Sequence, residues 1–310
     1  MSNMRLIEYV RYWLKNIKKR KLKESSYDRY LTQADTLEKY SIAQMRICDI
    51  VADDITAYLY ELVDTGYAYS TIKKQKTIVE APLKHAFGNK YITVNITEGV
   101  EMPRQDDVKK PQRIVKDFSP QEQKRLWAEI EKFESYCDYV IGFMLETGLR
   151  INEALALVWD DLDRTRPFIH VHKTVMRLGK QKITTISDSP KSFSSIRGVP
   201  LTPRALSILK VLEATAPNEW IFSDEDGTRL SYDSVRSRMK TICKRSGVKY
   251  QPPHATRHTL TTNLFDAGVD AKTISKILGH SNEEVSKNVY KHLREDGFDQ
   301  MYDALMQITQ

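Results

Sequence analysis

The stretch TGLRINEALAL, residues 147–157, places an arginine directly after a Gly-Leu turn and at the start of a helix. The amino end of a helix attracts anions, and the planar guanidinium of Arg150 can bind two phosphate oxygens at once. Glu153 follows after about one helical turn, so its carboxylate can orient Arg150. The pattern predicts a phosphate-binding role for Arg150 and a supporting role for Glu153. An arginine on the surface of a helix would show the same pattern.

Four further strings between residues 189 and 293 carry polar side chains that complement this arginine. They are SPKSFSSIRGVPL (189–201), PPHATRHT (252–259), ILGHSN (277–282) and NVYKHL (288–293). Their candidate residues are Lys191, His254, Arg257, His280 and Tyr290. A second arginine completes a phosphate clamp, histidines and a lysine can transfer protons, and a tyrosine can attack phosphorus. This set indicates phosphoryl transfer through a covalent protein–DNA ester, with no cofactor and no metal.

The two histidine strings have simpler interpretations as well. His254 and Arg257 are three residues apart and share one face of a helix, but this pair alone is a weak signal. We interpret His258 as structural, because the residue after Arg257 points about 100° away around the helix. Gly279 can end a helix and leave His280 in a loop, or His280 can instead cap that helix end.

Together these strings resemble the motifs of the tyrosine recombinase family, also called phage integrases. The resemblance is close in the second half of the chain and loose in the first. The chain has 16 tyrosines, but the family's nucleophile follows a Leu-Gly-His string by the interval that Tyr290 has. The resemblance implies that Arg150 and Arg257 bind the scissile phosphate and that His280 hydrogen-bonds it. Tyr290 would attack the phosphate and form a 3′-phosphotyrosyl link.

The catalytic lysine is the member of the set for which the sequence offers several candidates. Relatives carry it in a turn between two strands, shortly before an R-x-V/I-P-L strand. The string PKSFSSIRGVPL places Lys191 in such a turn, with Arg197 leading into the strand. Lys180 and Lys182 lie in the preceding loop and remain alternatives. By resemblance, Lys191 or His254 protonates the leaving 5′ oxygen.

The charge of the chain is compatible with a nucleic-acid partner. The 310 residues carry a formal net charge of +7, and six basic residues lie between positions 15 and 23. Such a cluster can be a solvated helix end, but beside a phosphate-binding set it indicates contact with the DNA backbone. The three cysteines are far apart and have no metal-binding or disulfide pattern. With neither a signal peptide nor a bilayer-spanning apolar run, the sequence predicts a cytoplasmic protein without membrane partners.

The pattern of apolar residues predicts a fold that is mainly α with a small antiparallel β-sheet (α+β). Residues 1–88 predict a four-helix domain, which resembles the family's SAM-like core-binding (DNA-binding) domain. Residues 89–115 are polar and aperiodic and predict an interdomain linker. Residues 116–310 predict the tyrosine recombinase catalytic domain, ending in a C-terminal tail helix with an apolar stripe. That stripe consists of Phe298, Met301, Leu305 and Ile308.

Local signals place several elements. A capping box at Ser119 and Glu122 starts a helix at residue 120, and Ser70 is expected to cap the fourth helix of the first domain. Helices are predicted at 135–146, 150–158, 203–215, 231–246, 255–267 and 271–278. Strands are predicted at Phe168–Val175, Lys182–Ile186 and Ile196–Leu201.

The resemblance implies a site-specific DNA recombinase, an integrase that integrates or excises a phage or mobile element. Its partner would be double-stranded DNA, with a monomer in solution and a homotetramer on two duplexes. An excisionase or a host DNA-bending protein would be an accessory partner. The chain starts at the helical domain and has the length of Xer-type resolvases, so chromosome or plasmid dimer resolution is an alternative. A type IB topoisomerase and an inactive DNA-binding regulator are further alternatives.

Overall fold

The computed structural model describes residues 1–108, 115–178, 183–187 and 196–279, together with Met306. Two compact units can be distinguished. The first comprises Met1–Ile114 and Arg177–Ile183, and the second comprises Val115–Met176 and Thr184–Gln310. The domain boundaries at residues 88 and 115 stay a prediction. Lys191, His280, Tyr290 and the apolar stripe of the expected tail helix lie outside the described residues.

The first unit is helical, because apolar residues recur at helical spacing and meet in one core. Its α-helices are α1 (Leu6–Trp13), α2 (Glu24–Leu37), α3 (Ala52–Asp64) and α4 (Tyr69–Gly88). The chain continues from α1 through a π-helical turn, Leu14–Lys18, and a short 3-10 turn, Lys19–Lys21. The expected cap at Ser70 is wrong: Ala68, two residues earlier, is in the N-cap position, and α4 begins at Tyr69.

Part of the segment predicted as a linker packs on this helical core. Ile92 and Val108 are buried there, and Val100 and Met102 pack against it from the outside. Their apolar side chains are spaced irregularly, so they escape a search for helical or strand periodicity. Packing on the core therefore extends beyond residue 88.

The second unit has its core around a buried helix, α6. Its α-helices are α5 (Pro120–Ile130), α6 (Tyr136–Thr147), α7 (Ile151–Ala154), α8 (Pro203–Ala214), α9 (Tyr232–Arg245), α10 (His254–Asp266) and α11 (Ala271–Leu278). The helices α5, α8, α9 and α10 all pack against α6. The predicted capping box is present, since the hydroxyl of Ser119 accepts from the Glu122 amide and Glu122 accepts from the Ser119 amide. The predicted helix over 150–158 is wrong in length, because α7 makes only a single turn.

Two small pairs of strands complete the described structure. They are β1 (Phe168–Val171) with β4 (Arg197–Pro200), and β2 (Thr174–Leu178) with β3 (Ile183–Ser187). The β1–β4 pair is antiparallel, with Phe168 opposite Pro200 and Val171 opposite Arg197. The single strand predicted over 168–175 is therefore two strands. The break lies at His172 and Lys173, whose side chains both turn toward the buried carboxylate of Asp161.

The structure confirms the predicted fold class, a mostly helical chain with small antiparallel β-structure. Among the described residues, no helix combines the length and the apolar character needed to cross a membrane.

Candidate active site

Arg257 is the most deeply buried charged side chain of the group that the motifs predict, with 2% of its surface exposed. It lies in the first turn of α10, and its guanidinium donates to two backbone carbonyls. Nη1 lies 3.2 Å from the oxygen of Gly148, and Nη2 lies 2.6 Å from the oxygen of Leu278. Within the described ranges, no carboxylate forms an ion pair with Arg257. A buried cation that bonds only to neutral carbonyls is suited to receive an anion.

Gly148 brings the string TGLR against α10 and α11. Its φ of 62° ends α6 in the left-handed conformation that favours glycine. A Cβ atom at this position would lie 2.6 Å from a methyl of Leu278 and 2.9 Å from a methyl of Leu260. The close approach of α10 and α11 to the end of α6 therefore requires glycine at position 148. This approach places the Gly148 carbonyl within reach of Arg257.

Arg150 and Glu153 form the contact that their spacing predicts. Nη1 of Arg150 lies 2.7 Å from Oε1 of Glu153, and the Arg150 backbone amide donates to Oε2 at 3.1 Å. Glu153 is buried, whereas the side chain of Arg150 is 38% exposed. Arg150 is therefore held by the carboxylate and still reaches the surface, where a phosphate can bind.

Arg197 also joins this group, although its motif predicted only the start of a strand. It is buried in β4; its Nη2 lies 2.9 Å from Oε2 of Glu153, and its Nε donates to the carbonyl of Ile277 at 2.9 Å. An arginine that opens a buried Val-Pro-Leu strand was the available signal, because a buried charge requires a partner.

Three consecutive carbonyls at the end of α11 bind three different arginines. Ile277 accepts from Arg197 and Leu278 from Arg257, while the more distant contact, 3.4 Å, joins Gly279 to Arg150. The last carbonyls of a helix lack intrahelical partners and carry partial negative charge, so cations stabilise them. His280, the next residue in the chain, lies outside the described residues. The arginines thus fix the backbone immediately before it.

The charges of the group shift the pKa values of its members. Burial raises the pKa of Glu153, but Arg197 and then Arg150 outweigh this effect and lower it to about 2. Burial, followed by the charges of Arg150 and Arg197, lowers the pKa of Arg257 to about 9. Glu153 is therefore ionised and Arg257 protonated at neutral pH. Three guanidiniums face one carboxylate, which leaves two positive charges uncompensated within the described part of the site.

His254 lies one turn before Arg257 at the exposed edge of the group. Partial burial lowers its pKa below 6.5, and His258, Arg257 and Arg150 lower it further. The imidazole is accordingly neutral at pH 7. The ring of His258 packs edge-on against that of His254, with centroids 4.9 Å apart, a contact that the sequence motifs did not predict.

Three of the six candidate residues, Arg150, His254 and Arg257, therefore lie in one described cluster. Lys191, His280 and Tyr290 fall outside the described residues and stay predictions. No group of His, Cys, Asp and Glu side chains able to hold a metal ion occurs in the described part of the chain.

Comparison with known proteins identifies the family of the chain that carries this cluster. Residues 116–296 match the model of the phage integrase family, which is more than half of the chain. The chain belongs to the phage integrase family. This membership makes it a tyrosine-type site-specific recombinase, as the sequence motifs predicted.

Individual members of the family match over most of the chain. The tyrosine recombinase XerC-like protein of Caldanaerobacter subterraneus subsp. tengcongensis is 26% identical over 94% of this chain and 80% of that protein. The transposase from transposon Tn916 of Enterococcus faecalis is 28% identical over 83% of this chain and 67% of its own.

Solved structures of phage integrase family members share the fold. The Tn1549 transposon integrase in complex with a circular intermediate DNA superposes with a TM-score of 0.79 at 20% identity, covering 97% of this chain and 99% of that one. A lambda integrase tetramer bound to a Holliday junction gives a TM-score of 0.68 at 16% identity, and the match covers 92% of this chain and 77% of the lambda integrase chain.

Proposed function

We propose that this chain is an integrase that integrates or excises a mobile element by cutting and rejoining duplex DNA. The observation that carries the proposal is the buried guanidinium of Arg257. Among the described residues its acceptors are two backbone carbonyls, and it lies beside Arg150 in a group whose described members have excess positive charge. Such a site is complementary to a phosphodiester whose negative charge grows during attack. Similarity to the Tn916 transposase and to the ICEBs1 integrase of Bacillus subtilis supports the mobile-element role.

In the proposed reaction, the Tyr290 oxygen forms a bond to phosphorus while the bond from phosphorus to the 5′ oxygen breaks. Arg150 and Arg257 neutralise the non-bridging oxygens, and His280 donates a hydrogen bond to one of them. Because His254 is neutral at pH 7, it is better suited to accept the tyrosine proton than to donate one. We therefore assign protonation of the 5′ oxygen to Lys191. A 5′-hydroxyl of the partner duplex then reverses these steps, so no external energy source is needed.

The proposed partner is double-stranded DNA, which both the helical domain (1–88) and the catalytic domain (116–310) would bind. Six basic residues near the N terminus supply backbone contacts. Four copies would act on two duplexes in the cytoplasm, an arrangement supported by the shared fold with the lambda integrase tetramer bound to a Holliday junction. An excisionase or a host DNA-bending protein would set the direction of recombination.

An Xer-type resolvase is the second candidate, favoured by the XerC-like relative that matches 94% of this chain. A resolvase acts on two copies of one site, whereas an integrase joins two different sites. Recombination between plasmids carrying identical or different sites separates the two functions. The same assay detects a topoisomerase, which relaxes supercoils without exchanging strands between duplexes.

The decisive experiment uses a nicked suicide duplex carrying the junction of the element that encodes the protein. The wild-type protein should form a covalent complex that survives denaturing electrophoresis. Tyr290→Phe should abolish that complex and retain DNA binding, because only the nucleophilic oxygen is lost. Tyr302→Phe is the matched control and should react normally. A covalent band from the Tyr290 variant would show that another residue is the nucleophile, and no band from the wild type would reject the recombinase mechanism.

A further inference from the structure

Arg197 is a buried charged residue of the described site to which the catalytic scheme gives no role. It lies at the start of β4, 7% exposed, and its guanidinium faces inward to Glu153. Two of its partners are far away in sequence: Glu153 is 44 residues and Ile277 is 80 residues distant. A contact of this kind ties three separate parts of the chain together.

The geometry of Arg197 requires a guanidinium. At the end of the fork, Nη1 and Nη2 donate to the Glu153 carboxylate at 3.5 and 2.9 Å, while Nε, on the side edge of the same planar group, donates to the Ile277 carbonyl at 2.9 Å. A lysine has a single ammonium on a flexible stem and cannot reproduce two contacts that diverge from one rigid fork. The side chain therefore fixes the distance between Glu153 and the end of α11.

Two proposed catalytic residues depend directly on those partners. Glu153 holds the guanidinium of Arg150 at 2.7 Å. The end of α11 sets the backbone directly before His280. Arg197 also begins β4, the strand that follows the segment containing Lys191.

We propose that Arg197 is a positioning residue, which aligns Arg150 and the end of α11 through Glu153 and the Ile277 carbonyl before DNA binds. The inference rests on the proposed function, because it concerns the same cleavage step. A displacement of about 1 Å in a reacting group can slow a reaction about 100-fold. We expect Arg197→Lys to reduce the rate constant of cleavage by about this factor while leaving the affinity for DNA unchanged.

The test is single-turnover cleavage of the suicide duplex at saturating protein. A protein that is partly unfolded gives a smaller amplitude of covalent complex with the normal rate constant, whereas misalignment lowers the rate constant and leaves the amplitude. The matched control is Arg238→Lys, because Arg238 forms a bidentate pair with the buried carboxylate of Asp138 at the opposite end of α6. Its rate constant should equal that of the wild type.

A double-mutant cycle that combines Arg197→Lys with Glu153→Gln tests whether Arg197 acts through Glu153. If Arg197 acts through Glu153, the double variant should lose less than the product of the two single losses. A wild-type rate constant for Arg197→Lys would overturn the inference, as would losses that simply multiply. These results are separate from a failure of the proposed function, which would appear as an unreactive wild-type protein.

Discussion

The two ends of α6 each carry a cluster of charged side chains, and the clusters differ in balance. At its start, Asp138 pairs with Arg238, and Glu134 pairs with Arg238 and Arg245, so two carboxylates meet two guanidiniums. Beyond its end, the Glu153 carboxylate faces three guanidiniums. Both groups contain a nearly or fully buried carboxylate. The balanced group stabilises the fold by itself, whereas the described residues of the unbalanced group leave a positive charge that suits it to bind an anion.

The largest expected difference is between Arg257→Met and Arg238→Met. The first removes a phosphate ligand and should reduce the cleavage rate constant by about 10² to 10³. The second leaves the carboxylate of Asp138 buried and unpaired, which should cost about 3–5 kcal/mol of unfolding free energy without changing the rate constant of the folded fraction. Urea unfolding and single-turnover cleavage measure the two effects. Normal cleavage by Arg257→Met would remove this residue from the proposed site.

The sequence could not predict how many charged side chains meet at each end of α6, because those contacts join residues that are far apart in the chain. The capping box at Ser119 and the helix α11 were predicted at the observed residues, because their signals lie within a few neighbouring positions. The contacts of Arg197 connect residues 44 and 80 positions apart. No local pattern contains that information, so the motif indicated a strand and missed the ion pair.

Errors in the predicted elements have the same origin. The apolar periodicity of residues 150–158 predicts a longer helix than α7, but the chain turns after Ala154 to bury Leu155 and Leu157 in the core. Packing thus overrode local propensity where the chain approaches the site. The identities of Arg150, His254 and Arg257 came from motifs, and their mutual arrangement came from the fold.

The second prediction concerns the stability of the protein at low pH. The folded pKa of Glu153 is about 2, below its ordinary value of 4.5, so its carboxylate stabilises the protein fully above about pH 4.5. This contribution, about 3 kcal/mol, should be lost as the pH falls toward 2. Urea unfolding from pH 6 to pH 2 measures it, with Glu153→Gln as the control that lacks this part of the pH dependence. Parallel curves for the two proteins would contradict the ion-pair arrangement.

The third prediction separates backbone strain from close packing in the same unit. Gly148 and Gly268 both have positive φ, 62° and 82°, but only Gly148 has side-chain atoms where a Cβ would lie. Gly268→Ala should cost about 1 kcal/mol through strain alone. Gly148→Ala should cost about 2 kcal/mol more, because it also displaces Leu278 and Leu260, and it should slow cleavage by moving the end of α11. Equal losses of stability in the two variants would show that α10 and α11 can move away from the end of α6 without cost.

The smallest effect should come from His258, which lowers the pKa of His254. If the neutral imidazole of His254 accepts the tyrosine proton, the cleavage rate should rise with pH through that lowered pKa, below 6.5. His258→Ala removes both the electrostatic effect of that ring on His254 and part of the cover of the His254 ring, and both changes raise the pKa of His254. The acid limb of the rate profile should then move to higher pH, while the rate at pH 8 stays unchanged. His254→Gln is the control, because a limb that persists in that variant belongs to another group. A limb that stays in place in His258→Ala would show that burial and the arginines alone set the pKa of His254, and that the contact between the two rings only supports the fold.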